Sequence, residues 1–166
     1  MGRLAVLRFR AALVGLHGRG KTTLLEELAW RLEQRGLRTR AVTLQEGDRR
    51  LSPTQRETLF RGSTVLDVLL VDGAEQLGRL AWLEIRTRSR AAGGLVITSH
   101  RPGLLPTLHE CHTSPELLAG IIAEMAEMAG PDSAGSLPSS EELFVRHGGN
   151  VRDALRELYD CYATEL

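Results

Sequence analysis

The chain has 166 residues, of which 42% are hydrophobic and 25% are charged, a composition typical of one globular domain with a core. Its 21 basic and 21 acidic residues cancel formally, so net charge gives no support for binding to nucleic acid or to an anionic membrane. No stretch approaches the roughly 18 apolar residues of a bilayer span, and the two cysteines lie far apart in the sequence. We therefore expect a cytoplasmic protein with no membrane partner.

The first part of the chain reads as strand, loop, helix and strand. Residues 10–15 form a short apolar run that ends in glycine, which predicts a buried strand. Apolar residues recur at helical spacing over residues 22–34, and Gly36 is suited to end that helix. Residues 39–44 predict a second strand. Because parallel strands need a crossover of this kind, the pattern indicates a βαβ unit.

The middle of the chain continues the alternation of strands and helices. Ser52 and Pro53 are suited to begin a short helix that runs to Phe60. Two strongly apolar strands are predicted over residues 65–72 and 95–99, separated by a helix over 77–90. A fifth strand is predicted over 107–112. These elements predict an α/β fold.

The pattern changes after residue 113, where only helices are predicted. The segment has a first helix up to residue 129, a Gly/Ser/Pro-rich linker over 130–138, and a second helix that ends at Gly148. Asn150 is suited to cap a last helix. We therefore predict a core over 1–113 and a helical segment over 114–166.

Residues 15–22 match the phosphate-binding pattern G-x-x-x-x-G-K-[ST] at every position. Glycines let the backbone N–H groups curve around a phosphate, and the following helix presents its positive end to the anion. Lys21 would reach the β- and γ-phosphates, the hydroxyl of Thr22 would bind Mg²⁺, and Thr23 would donate to the α-phosphate. The candidate nucleotide-binding residues are Gly15, Gly18, Arg19, Gly20, Lys21, Thr22 and Thr23.

Lys21 is also unusual in the composition of the chain. It is the only lysine, and the remaining basic residues are all arginine. Lysine is a compact point charge and arginine a wide planar group, so the two are not interchangeable in a tight phosphate pocket. A lysine is therefore expected where arginine cannot serve.

Asp72 is the candidate second ligand of Mg²⁺, through water. It ends an apolar strand whose carboxyl end is expected to lie beside the phosphate loop. The position of the catalytic base departs from a common pattern. Many hydrolytic ATPases carry a glutamate directly after this aspartate, as the base that activates water, but this chain has Gly73. Glu75 is the nearest candidate base. The alternative for Glu75 is a surface position at a helix start, where an acid suits the helix dipole.

The end of the fourth strand supplies further polar candidates. Thr98, Ser99 or His100 would face the γ-phosphate and orient the attacking water. The candidate catalytic residues from these arguments are Lys21, Glu75, Ser99 and His100.

The segments GLHGRGKTT, VLLVDGAEQL, VITSHR and HGGNVRDALRELY together resemble a compact AAA-type P-loop ATPase of the additional-strand class, over residues 10–162. The resemblance implies ATP and Mg²⁺ as ligands. It also implies a mostly parallel five-stranded sheet of order 5-1-4-3-2, flanked by helices, with residues 114–166 as a small helical lid. Arg152 of the lid would act on the γ-phosphate, and a homo-oligomer or a protein partner would supply a second arginine. Gly73 departs from the family pattern and implies slow hydrolysis without a partner.

Other P-loop proteins offer alternative interpretations. Residues 51–55 resemble the LS-x-x-Q signature of ABC ATPases, and His100 resembles their switch histidine, but the interval after Thr22 leaves no room for the ABC helical subdomain. Residues 20–42 resemble accessory proteins of the molybdopterin-guanine dinucleotide type and nucleotide kinases. A small kinase, an accessory GTPase, or a nucleotide-dependent switch with little turnover therefore stays open. The sequence contains no guanine-reading N-K-x-D motif, which favours ATP over GTP.

Overall fold

A computed structural model describes residues 2–129 and 138–164 of the chain. The strands are β1 (Arg10–Val14), β2 (Arg38–Thr43), β3 (Asp67–Asp72), β4 (Gly94–Ser99) and β5 (Thr107–Glu110). The α-helices are α1 (Gly2–Val6), α2 (Lys21–Glu33), α3 (Pro53–Phe60), α4 (Arg79–Arg88), α5 (Pro115–Ala129), α6 (Ser140–Arg146) and α7 (Val151–Thr164). Short 3₁₀ helices occur at Ala74–Gln76 and Ser89–Ala91.

The five strands form one sheet in the order β2-β3-β4-β1-β5, and each pair of neighbours is parallel. This confirms the order 5-1-4-3-2 that the resemblance implied. In the register of β3 against β4, Val71 lies opposite Ile97, so the ends of the two strands lie side by side. The sheet therefore gathers the carboxyl ends of its central strands at one edge, where ligands bind in folds of this class.

Alternate residues of the central strands belong to two separate hydrophobic clusters, as expected for a sheet that is covered on both faces. One cluster contains Leu69 of β3 together with Leu59 of α3 and Ile85 of α4. The other contains Leu70 of β3 together with Leu28 of α2. The continuous apolar runs that predicted these strands follow from this burial on both faces.

Several of the predicted elements have different bounds in the structure, and β5 ends at Glu110 rather than at residue 112. β3 begins at Asp67 rather than at residue 65, because the amide of Asp67 donates to the carbonyl of Thr64 and closes a turn before the strand. Val65 and Leu66 are consequently exposed. The helix predicted over 77–90 is shorter, since 3₁₀ helices at Ala74–Gln76 and Ser89–Ala91 flank α4.

The chain divides into two compact units. The first comprises Met1–Gly15 and Lys21–Glu110 and contains the sheet. The second comprises Leu16–Gly20 and Cys111–Leu166. In the second unit α5, α6 and α7 share a small core. Residues 130–137 of the predicted linker lie outside the described residues.

No helix in the described ranges is long and apolar enough to cross a membrane.

Asp67 anchors the start of β3 although it is 1% exposed. Its carboxylate accepts hydrogen bonds from the Thr64 amide at 2.6 Å, from Arg40 Nε at 3.0 Å and from Arg38 Nη2 at 2.9 Å. Burial alone would raise the pKa of Asp67, but the hydrogen bonds from Thr64, Arg40 and Arg38 outweigh it and hold that pKa well below its usual range. Asp67 thereby fixes the turn before β3 and links it to the edge strand β2.

We expect Asp67→Asn to lower the free energy of unfolding by about 2 kcal/mol near neutral pH, since hydrogen bonds to a buried charge are lost. Because folding depresses the pKa of Asp67, its contribution is present above the usual pKa of 3.8 and is lost as the pH falls below it. Urea unfolding of both proteins between about pH 7 and about pH 2.5 should show the difference shrinking with acid. A difference that stays constant over that range would contradict this role.

Candidate phosphate and metal site

The phosphate-loop motif lies between β1 and α2. The amide of Gly15 donates to the carbonyl of Ser99 at 3.1 Å, which ties the end of β1 to the end of β4. α2 begins at Lys21, whose side chain is 8% exposed. The strand before the motif and the helix after it are those that the phosphate-binding pattern requires.

The carboxylate of Asp72 is held by hydroxyl groups from two neighbouring elements. Thr22 Oγ1, in the first turn of α2, donates to Asp72 Oδ2 at 2.8 Å. Thr98 Oγ1, near the end of β4, donates to Asp72 Oδ1 at 2.5 Å. The amide of Gly73 donates in turn to Thr98 Oγ1 at 2.8 Å.

The oxygens of Thr22 and Asp72 fit a small hard cation. Hydroxyl and carboxylate oxygens are ligands that Mg²⁺ prefers, and Mg²⁺ is usually held by one or two carboxylates together with substrate phosphates. A cavity of about 100 Å³ is lined by both residues and by parts of α2, β2 and β3. The described residues contain no group of three or more His, Cys, Asp and Glu side chains that suits a metal. Phosphate oxygens would have to complete the coordination here.

Gly73 has a backbone conformation that explains why no glutamate follows Asp72. Its φ is +80°, in the left-handed region that L-residues rarely adopt, and a Cβ at this position would lie 2.8 Å from the carbonyl oxygen of Leu44. A glutamate at position 73 would therefore be strained and would clash with the backbone.

Glu75 lies in the 3₁₀ helix that follows, and it is paired with His100. Glu75 Oε1 lies 3.0 Å from His100 Nε2, and both side chains are mostly buried. Glu75 Oε2 is enclosed and accepts no hydrogen bond from any described residue. An enclosed carboxylate oxygen without a partner is costly, so a ligand or a water molecule would be stabilised beside it.

Within the second unit, the phosphate loop contacts the start of α7. A Cβ on Gly18, whose φ is +67°, would lie 1.5 Å from Asn150 Oδ1. Asn150 also caps α7, because its Oδ1 accepts the amide of Asp153 at 3.3 Å. The preceding carbonyl of Gly149 accepts the hydroxyl of Thr113 at 2.7 Å. Glycine at position 18 therefore allows the side chain of Asn150 to lie against the loop.

No protein-family model matches the chain, and no curated protein matches it. Among solved structures, the chain is similar to the Thermotoga maritima RuvB Holliday junction branch migration motor, with a TM-score of 0.62 and 21% sequence identity. The alignment covers 93% of this chain. The chain has the P-loop NTPase fold. It spans 56% of the RuvB chain, so the likeness establishes the fold of the shared part.

The P-loop NTPase fold brings together only some of the candidate residues. Thr22 contacts Asp72, and Glu75 contacts His100. The hydroxyl of Ser99 is turned to its own loop, where it donates to the carbonyl of Arg101 at 2.9 Å. Two further candidates, Thr23 and Arg152, have exposed side chains.

Two contacts, one in each unit, were not predicted from the sequence. The sequence analysis considered Thr98 as a residue that orients water, whereas the structure places its hydroxyl on Asp72. The register of two parallel strands that end together is the signal that would have paired these residues. Asn150 was read as a helix cap alone, and its contact with Gly18 depends on the tertiary fold, which no local pattern reveals.

We expect Gly18→Ala to destabilise the protein more than Gly20→Ala does. Both glycines have positive φ, so each alanine costs about 1–2 kcal/mol in backbone strain. Only position 18 adds a clash with Asn150, since a Cβ on Gly20 meets nothing within 4 Å. The excess should be at least about 1 kcal/mol in urea unfolding.

The double variant Gly18→Ala/Asn150→Gly provides the control. Glycine removes the clashing amide and is tolerated as a helix cap at a cost of only about a few tenths of a kcal/mol. It should recover most of the excess loss. Equal losses for Gly18→Ala and Gly20→Ala would show that the contact with Asn150 does not constrain the loop.

Proposed function

We propose that this chain binds ATP together with Mg²⁺ and hydrolyses it, as a small AAA-like P-loop ATPase. The observation that carries the proposal is the hydrogen bond of 2.8 Å from Thr22 Oγ1 to Asp72 Oδ2, directly after a complete G-x-x-x-x-G-K-[ST] motif. A hydroxyl that donates its proton to the carboxylate keeps its own lone pairs available for a cation. The arrangement supports metal-dependent phosphate binding. A motif that was only a glycine turn with a surface lysine would need neither a buried Lys21 nor the contact between Thr22 and Asp72.

In this proposal Lys21 and the backbone amides of the loop neutralise the β- and γ-phosphates. Lys21 is nearly buried, so its charge acts at a site of reduced water access, where electrostatic interactions are strong. Thr22 binds Mg²⁺ directly, and Asp72 holds it through water. When bound, Mg²⁺ would supply positive charge against the negative charge that develops on the phosphates during transfer.

Glu75 is the proposed general base. Position 73 rejects a glutamate, and Glu75 offers a carboxylate on the next turn of backbone. Its Oε1 is oriented by His100, and its Oε2, which accepts no hydrogen bond from the described residues, is the atom that would take the proton of the attacking water.

The helical segment over 114–166 is proposed to act as a lid. In the AAA-type resemblance Arg152 acts on the γ-phosphate, and an arginine from another subunit or a protein partner completes the site. Arg152 is the second residue of α7 and is exposed, so its guanidinium is accessible for such a contact. Arginines of this kind contribute roughly 10³–10⁵ in rate.

One observation favours a second candidate, a nucleotide-dependent switch with little turnover. The strain and the clash at position 73 exclude the usual position of the base. If Glu75 cannot reach the attacking water, the chain would bind ATP and change conformation with little hydrolysis.

Phosphate release from Mg²⁺-ATP by the purified protein decides between these candidates. We expect release at or above about 0.01 s⁻¹, the order of an intrinsic NTPase with its arginine in cis, and we expect Lys21→Ala to abolish it. Glu75→Gln should lower release by about 10²–10⁴ without weakening ATP binding.

Glu46→Gln, at an exposed position in the loop after β2, is the matched control and should leave release unchanged. Nucleotide binding without release would favour the switch over the ATPase. Release that survives Glu75→Gln would refute Glu75 as the base, and the absence of any nucleotide binding would refute both candidates.

A further inference from the structure

Thr98 occupies a position between the backbone and the carboxylate of the proposed metal site. Its hydroxyl accepts the amide proton of Gly73 at 2.8 Å and donates to Asp72 Oδ1 at 2.5 Å. Thr98 is fully buried, with no exposed side-chain area. Its hydroxyl therefore forms its hydrogen bonds with Gly73 and Asp72 inside the protein.

The donor and the acceptor in each of these hydrogen bonds follow from the single proton on the Thr98 hydroxyl. A threonine hydroxyl has one proton, and an ionised carboxylate can only accept. Since the Gly73 amide already points at Thr98 Oγ1, the single hydroxyl proton is directed to Asp72. Thr22 donates to the other oxygen of the same carboxylate at 2.8 Å. Asp72 is thus held from both sides, and each of its oxygens keeps a lone pair for a cation or its water.

The local fold brings Asp72, Gly73 and Thr98 together. The parallel register that sets Val71 opposite Ile97 brings the next residues, Asp72 and Thr98, side by side. Gly73 follows Asp72 directly, and its amide donates to Thr98 Oγ1. The φ of Gly73 is left-handed and a Cβ there would meet the carbonyl of Leu44, so the residue that supplies this amide is a glycine and not a glutamate.

We propose that Thr98 is a positioning residue of the Mg²⁺ site: it fixes the carboxylate of Asp72 in the orientation that holds the cation. The inference rests on the proposed function, because it assumes that Mg²⁺ and a nucleoside triphosphate bind beside Thr22 and Asp72. Thr98 acts through Asp72 and needs no contact with the nucleotide. Partners of this kind in other metal sites change metal affinity about 10–100-fold when they are removed.

The test measures the Mg²⁺ concentration that gives half-maximal binding of a fluorescent ATP analogue to the full chain. Thr98→Val keeps the shape of the side chain and removes the hydroxyl, so this concentration should rise at least about tenfold. Thr98→Ser keeps the hydroxyl and should remain within about twofold of the unmodified protein. Affinity for the analogue in EDTA should be the same for all three proteins, because the contacts of the loop with the phosphates are untouched.

The outcomes separate this inference from the proposed function. If the unmodified protein shows no Mg²⁺-dependent binding of the analogue, the proposed function fails and the inference with it. If it binds with a clear Mg²⁺ requirement and folded Thr98→Val has the same requirement, only the role of Thr98 is overturned. An equal rise in Thr98→Val and Thr98→Ser would also overturn it, since a hydroxyl would then not be what matters.

Folding of the variants is checked by circular dichroism and thermal melting. If Thr98→Val does not fold, Thr98→Ala and Thr98→Cys replace it, since both lack a strong hydroxyl donor and neither adds bulk. A normal Mg²⁺ requirement in either folded variant would overturn the inference. As a further check, Thr98→Val should add no further loss in an Asp72→Asn background, because its effect passes through that carboxylate.

Discussion

The carboxylate of Asp72 joins three elements of the molecule through hydrogen bonds to two threonine hydroxyls. Thr22 belongs to the helix after the phosphate loop, and Thr98 belongs to the neighbouring strand. These contacts form only when β3 and β4 are parallel and end together, as the observed register ensures. The sheet that carries these strands is buried on both faces, so a hydrophobic framework supports the polar site at its edge.

The structure explains why Gly73, and not a glutamate, follows Asp72. The residue after Asp72 uses its amide to orient Thr98, in a backbone conformation that glycine adopts without strain. A glutamate there would collide with the carbonyl of Leu44. The chain instead places Glu75 in the next turn and orients it with His100. In the proposed function this arrangement favours a firmly held cation, with the base supplied from a different position.

Much of the fold could be predicted from the sequence because strong local patterns determine it. The apolar runs predicted the five strands, the motif located the loop, and the resemblance supplied the strand order, which the sheet confirms. The start of β3 was wrong by two residues, since the turn closed by Thr64 and Asp67 overrides the apolar character of Val65 and Leu66. The first helix, α1, carries no clear periodic signal in so short a segment.

The candidate site was predictable where residue type and spacing alone define the chemistry, as for Lys21, Thr22 and Asp72. Their roles in binding stay predictions, although Thr22 and Asp72 do contact one another. The contact of Asn150 with Gly18 joins residues far apart in the sequence and depends on tertiary packing. The sequence analysis places Ser99 among the residues that would face the γ-phosphate, whereas its hydroxyl donates to the carbonyl of Arg101 in the turn after β4. The sequence does not show that a side-chain hydroxyl will hydrogen-bond a nearby backbone carbonyl in place of a ligand.

In the proposed function Lys21 is the cation of a tight phosphate site, in a chain that uses arginine at every other basic position. Calorimetric titration of Mg²⁺-ATP into the unmodified protein and Lys21→Arg tests it most directly, with Arg31→Lys on the exposed face of α2 as the matched control. Lys21→Arg should fold but lose at least about tenfold in affinity although the charge is kept, and Arg31→Lys should lose none. Equal affinity in the unmodified protein and in Lys21→Arg would contradict the account.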